Sequence, residues 1–219
     1  MMANGDWGTE IANGWFDSKH HLYRNSRGTI IPSVTQVFTL LGFSDYSMIK
    51  PSTLEWKRLY GEAVHAALEY LVAGDLDWDS IDEKIIPPVV GVEQWLKKNK
   101  YVSEATEEAK IVSVFGMEFG MRLDHRGRIE HQGKERSVIL DLKTASKEEP
   151  VWKWQLGAYS LGQEKVAGGW LGAMLKVDEQ GEVKPFYYDL FAAAREFQTL
   201  LATCILGINN GLYKIGKAA

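Results

Sequence analysis

The chain has 219 residues, 45% of them hydrophobic, a formal net charge of −4 and one cysteine, Cys204. That length suits one well-buried core and is short for two, and a lone cysteine excludes both an internal disulfide and a four-thiolate iron–sulfur cluster, which points to a reducing compartment. The acidic balance argues against coating nucleic acid by bulk attraction, and no apolar run or N-terminal signal pattern implies a membrane, so a cytoplasmic protein with no membrane partner is expected.

Residues 1–13 are polar and glycine-containing and read as a loosely held segment. Residues 15–31 read as a hairpin turning at Asn25-Ser26-Arg27-Gly28. Within it His20 and His21 would point to opposite faces of a strand, so they read as surface or satisfied histidines rather than joint ligands. Ser33-Val34-Thr35-Gln36 is a capping box starting a helix that Gly42 closes. Ser52-Thr53-Leu54-Glu55 is a second box, after which Leu59, Ala63, Val64, Ala67, Leu68, Leu71 and Val72 recur at helical spacing as far as Gly74. On that helix Glu62, His65 and Glu69 fall at i, i+3 and i+7 and share one polar stripe.

The acidic run Asp75, Asp77, Asp79, Asp82 and Glu83 lacks the glycine and terminal glutamate of a calcium loop and reads as a solvated connection. Pro87-Pro88 breaks the chain ahead of a helix over residues 89–99 with Trp95 and Leu96 inward. Residues 104–115 lead into the next strands, with Ile111 and Val114 buried; the spacing selects neither Glu107 nor Glu108 as a group near a metal.

Residues 117–143 read as two strands. Phe119, Met121 and Leu123 alternate with Arg122 and Asp124, and Val138, Leu140 and Leu142 with Ile139, Asp141 and Lys143, so each strand has an apolar and a polar face, with Gly127 and Gly133 suited to the turn between. Antiparallel pairing lets Asp124 face Asp141, and two carboxylates that close call for a divalent cation between them. Pro150 opens a helix carrying Gln155 and Tyr159 one turn apart. Strands over 169–177 and 183–190 flank the Asp178-Glu179-Gln180-Gly181 turn, and a helix over 191–208 follows with apolar positions at 194, 197, 201, 204, 205 and 208. The order helix, three strands, helix, strand, strand, helix gives an α/β fold with a mixed central sheet flanked by helices. The chain reads as one domain: an N-terminal hairpin and helix at 1–50, a core at 51–190, and a C-terminal helix and tail at 191–219. Apolar surface on more than one side of that last helix suggests a homo-oligomer.

Gly61-x-x-x-His65-x-x-x-Glu69, Asp124, Asp141-x-Lys143-Thr144 and Gln155-x-x-x-Tyr159, in this order, resemble the RecB-type branch of the PD-(D/E)XK nuclease superfamily across about residues 51–189, and Pro32 to Thr35 extends the likeness. One departure is that relatives often have glycine three residues before the first acid, where this chain has Met121 with Gly120 one earlier. The resemblance implies the restriction-endonuclease-like core. It implies Mg²⁺ or Mn²⁺ held by His65, Asp124, Asp141 and the Leu142 carbonyl, with Lys143 catalytic, Glu69 supporting the site, and Gln155 and Tyr159 on the substrate side. The implied function is a metal-dependent deoxyribonuclease, an exonuclease of phage or bacterial recombination or repair, with DNA and a recombination or helicase protein as partners. A structure-selective or restriction-type endonuclease and a catalytically silent DNA-binding module remain open. Lys57-Arg58, Lys97-Lys98-Lys100, Arg126 with Arg128, Lys134 with Arg136, and Lys153 are the basic groups that could follow a phosphate backbone. Trp170 reads as core, while Trp152 fits core packing and base stacking equally.

Overall fold

The structure is a computed structural model that describes residues 7–44, 48–145, 147–163 and 170–216. Four short strands come first: β1 (Thr9–Ile11), β2 (Gly14–Asp17), β3 (Leu22–Asn25) and β4 (Ile30–Ile31) form an antiparallel meander in chain order. Two expectations change here. Residues 9–11, read as loose, pair with β2, and the single expected hairpin contains a further turn at residues 18–21. The Asp17 carboxylate forms that turn: it accepts from the His20 backbone N–H at 3.1 Å and lies 2.6 Å from His20 Nδ1. His20 and His21 therefore sit in a turn, and His21 adopts φ +51°.

The capping box at Ser33 forms as read and opens α1 (Val34–Leu40). The one at Ser52 does not. In α2 (Pro51–Ala73) Pro51 occupies the first position, where its missing N–H costs nothing, and Lys50 is the cap. Val64, Ala67 and Leu68 are buried, whereas Leu59, expected in the core, is 52% exposed. After a 3₁₀ turn at Trp78–Ser80, α3 (Ile86–Lys98) starts before Pro87-Pro88 rather than after it, for the same first-turn reason.

The main sheet has five strands in the order of the chain: β5 (Val102–Val114), β6 (Met117–His131), β7 (Lys134–Lys143), β8 (Leu171–Val177) and β9 (Val183–Asp189). Only β7 and β8 run parallel, joined through α4 (Val151–Leu161), so the fold is mixed α/β as expected. Gly127 does not turn the chain. It lies within β6, where a Cβ would stand 2.2 Å from the Val102 carbonyl oxygen; the turn is at Gln132 and Gly133, both with positive φ.

Helices cover both faces of this sheet. On one, Ile139 packs with Trp152, Leu156 and Phe197 beneath α4 and α5 (Leu190–Asn209); on the other, Val138, Leu140 and Leu142 pack with Val64, Leu68 and Val89. Strand β7 is thus buried on both sides where a polar face was expected, and Asp141 is 0% exposed. Trp152, at 2% exposed, belongs to the core, which removes it from base stacking. Among the described residues α5 has the length and hydropathy of a membrane span, and Leu190, Phe197, Leu201 and Cys204 turn its inner side into the core that contains Ile139 and Trp152. The meander docks on the sheet through Gly120, whose N–H donates to the Pro32 carbonyl at 2.9 Å and where a Cβ would stand 2.0 Å from the Tyr23 ring.

Candidate metal centre

Strands β6 and β7 pair with His125 opposite Leu140, and one step further in that register Asp124 stands against Asp141. From α2, crossing the strand ends, His65 places Nδ1 3.2 Å from Asp124 Oδ2 and Nε2 2.9 Å from the Leu142 carbonyl oxygen. One ligand atom each from His65, Asp124 and Asp141 lies within 4.8 Å of the others. Lys143 Nζ donates to both Asp141 oxygens at 2.8 and 3.0 Å. From α4, Gln155 Nε2 donates to Asp141 Oδ2 at 2.6 Å and to the Tyr159 hydroxyl at 2.7 Å. His65, Asp124, Lys143, Gln155 and Tyr159 line a cleft of about 510 Å³, which His21, Lys57, Glu69, Glu107 and Arg122 also border.

Burial pushes the Asp141 carboxyl above the usual carboxylate range, and the charge of Asp124 adds to this; Lys143 and His65 offset only part. Burial acts the same way on Asp124, but the hydrogen bond and charge of His65 outweigh it and hold that carboxyl low. For His65 burial works against the imidazolium, yet Asp124 overcomes it and the pKa is raised. The donor set fits a divalent metal: two carboxylates and one imidazole offer ligand atoms within 4.8 Å of one another, and the Leu142 carbonyl lies beside the imidazole.

A pH dependence follows. Raised folded pKa values mean that His65 and Asp141 contribute stability that is full below their unfolded values of 6.5 and 3.8 and is lost as pH rises through the folded ones. Asp124, with its depressed value, contributes stability above 3.8 that is lost on acidification. Metal binding needs neutral imidazole and ionised Asp141, so the Mn²⁺-induced rise in Tm is expected to be larger at about pH 8 than at about pH 6. Thermal melts with and without Mn²⁺ measure it; an equal rise at both would place the ion elsewhere.

Among the other residues singled out, Glu69 borders the cleft one turn from His65 and makes no hydrogen bond among the described residues. Gln155 and Tyr159, expected to face substrate, have their polar atoms committed to Asp141 and to each other. Arg126 and Arg128 pair with Glu104, Lys97 with Glu93, Lys100 with Glu130 and Lys153 with Glu196, so of the basic clusters only Lys57-Arg58 borders the cleft. Sequence spacing did not select Glu107 over Glu108. Its neighbours Thr106 and Glu108 pair with His125 and Leu123, so Glu107 stands opposite Asp124; only the register of β5 on β6 could have shown it.

No protein-family model and no curated protein matches the chain. Two solved structures are similar in fold to a limited degree. One, from Eubacterium rectale and named "Putative exonuclease", has a TM-score of 0.45 at 12% identity, covering 73% of this chain and 71% of that one. The other, SSO0001, has a TM-score of 0.30 at 16% identity, covering 67% of this chain and 74% of that one. Neither likeness is close enough to bear on function.

Proposed function

We propose that the chain is a metal-dependent deoxyribonuclease of the PD-(D/E)XK type, acting as an exonuclease. The observation that carries this is the convergence of ligand atoms from His65, Asp124 and Asp141, with the Leu142 carbonyl against His65 and Lys143 on Asp141. A divalent ion held there supplies Lewis acidity and a more acidic water. Lys143 is the group on hand to take a proton from an attacking water or to offset charge developing on a phosphate. Gln155 holds Asp141 in one orientation and Tyr159 accepts from Gln155, so these two position the acid as well as bordering the substrate's cleft. Glu69 makes no hydrogen bond or ion pair among the described residues and is assigned to the cleft wall that supports the site. Such a chain would take DNA as its partner and would sit in recombination or repair.

The test is a digest of linear and of covalently closed circular DNA with Mn²⁺ or Mg²⁺. Degradation of the linear form alone is expected. Cleavage of both would make the chain an endonuclease, and binding without cleavage would make it a silent DNA-binding module.

A further inference from the structure

Arg122 has no place in the reading above, yet strand geometry sets it beside the acids. It lies two residues before Asp124 on β6, so both side chains leave the same face of the sheet roughly 7 Å apart along the strand. Both border the cleft. The Arg122 side chain is 48% exposed, and its Nε meets Glu107 Oε2 at 3.0 Å. Glu107 comes from the neighbouring strand, directly across from Asp124, and its backbone holds φ +51°. Glu107 and Asp124 are thus like charges close enough to feel each other, an unfavourable arrangement unless cations attend them; Arg122 attends Glu107, as His65 attends Asp124.

We propose that Arg122 is a phosphate-binding residue, gripping the nucleic-acid phosphate next to the one at the metal centre, and that Glu107 holds its guanidinium in reserve until that phosphate arrives. Three features of the cleft support this. A guanidinium offers a planar fork that matches phosphate oxygens, whereas the lysines nearby are point charges. The other arginine bordering the cleft, Arg58, is already clasped by Glu55 and Glu62 on its own helix, so Arg122 is the guanidinium with a single anionic partner to exchange. The third is the opposite wall, where Lys57 makes no ion pair among the described residues and offers a second cation to the same strand of nucleic acid. The exchange swaps one anion for another at the same guanidinium and breaks no covalent bond.

This inference rests on the nuclease reading, and it makes an unusual demand of Glu107. Removing the carboxylate's charge should improve binding, because Arg122 no longer has to leave a partner. If instead Glu107 served the metal, the same change would weaken the site. The experiment is fluorescence anisotropy of a labelled, cleavage-resistant phosphorothioate oligodeoxynucleotide in Mn²⁺, titrated over a range of salt, with Mn²⁺ affinity measured separately on each protein. Arg122→Ala is expected to weaken oligonucleotide binding about tenfold and to lower the salt slope by about one, with folding checked by thermal melt. Glu107→Gln is expected to tighten binding severalfold while still binding Mn²⁺. Because Arg122→Ala also strands Glu107, the double variant E107Q/R122A is included, and it should bind as weakly as the single Arg122 variant.

Unchanged affinity and slope in Arg122→Ala, or in the double variant, overturns the assignment. So does loss of Mn²⁺ binding in Glu107→Gln comparable to that in Asp124→Asn. A parent chain that binds no oligonucleotide overturns the nuclease reading itself, which separates that failure from this one.

Discussion

If the proposed function holds, Lys143→Ala is expected to lower DNA cleavage by about 10²–10⁴-fold and to leave Mn²⁺ affinity no weaker than the parent's. The reason lies in where Nζ sits. It donates to both oxygens of Asp141, a carboxylate that is fully buried. A divalent ion held by Asp141 would supply the same neutralisation, so deleting the lysine would remove a competitor for Asp141 as well as the group proposed to handle the water's proton. Single-turnover cleavage and a calorimetric Mn²⁺ titration of the same preparation separate the two effects. Parent-like cleavage would remove Lys143 from the chemistry.

The two acids respond oppositely when their charge is removed, although both substitutions should abolish cleavage, by more than about 10³-fold. Asp141→Asn keeps the shape and an oxygen for the Gln155 amide while removing a charge that burial and Asp124 both disfavour. The metal-free protein should therefore melt no lower than the parent at about pH 8. Asp124→Asn removes a charge that His65 stabilises and that raises the His65 pKa, so the protein without added metal should lose about 1–3 kcal/mol. Paired melts of the metal-free variants check the contrast. Equal destabilisation by both would mean that the two carboxylates are not asymmetric in the way their surroundings imply.

Much of this site was readable from local periodicity. The alternation that set Asp124 opposite in parity to Phe119 and Leu123 holds in β6, the helical stripe carried His65 and Glu69 to one cleft, and the one-turn spacing of Gln155 and Tyr159 lets Gln155 donate to both Asp141 and the Tyr159 hydroxyl. These are short-range facts, decided by the two-residue and 3.6-residue repeats of the backbone.

What the sequence did not reveal depends on contacts between distant segments. The two-sided burial of β7 arises because a parallel neighbour and helices on both faces enclose it, and the alternation of Val138, Leu140 and Leu142 with Ile139, Asp141 and Lys143 contains no trace of that. Glu107 could be matched to Asp124 only through the pairing of β5 with β6. Local chemistry also misled where two signals competed: Ser52 offered a cap but Pro51 had already claimed the first helical position, and Pro87-Pro88 marked a helix start rather than an interruption. Gly127 looked like a turn residue, yet it is glycine because the Val102 backbone passes where a side chain would be. The turn at residues 18–21 contains no glycine or proline; it is formed by Asp17, whose short carboxylate satisfies the backbone on the far side.

Calorimetric titration of Mn²⁺, and in parallel of Mg²⁺, into the parent and into the Asp124→Asn and His65→Ala variants tests whether His65, Asp124 and Asp141 form a metal centre. The parent should bind Mn²⁺ more tightly than Mg²⁺, Asp124→Asn should show no binding at this site, and His65→Ala should narrow the preference for Mn²⁺, since the imidazole nitrogen is what favours that ion. Equal Mn²⁺ affinity in the parent and both variants would contradict the assignment: the three side chains would then be an ion-paired cluster closing the ends of two strands, and the proposal of a metal-dependent nuclease would fall with it.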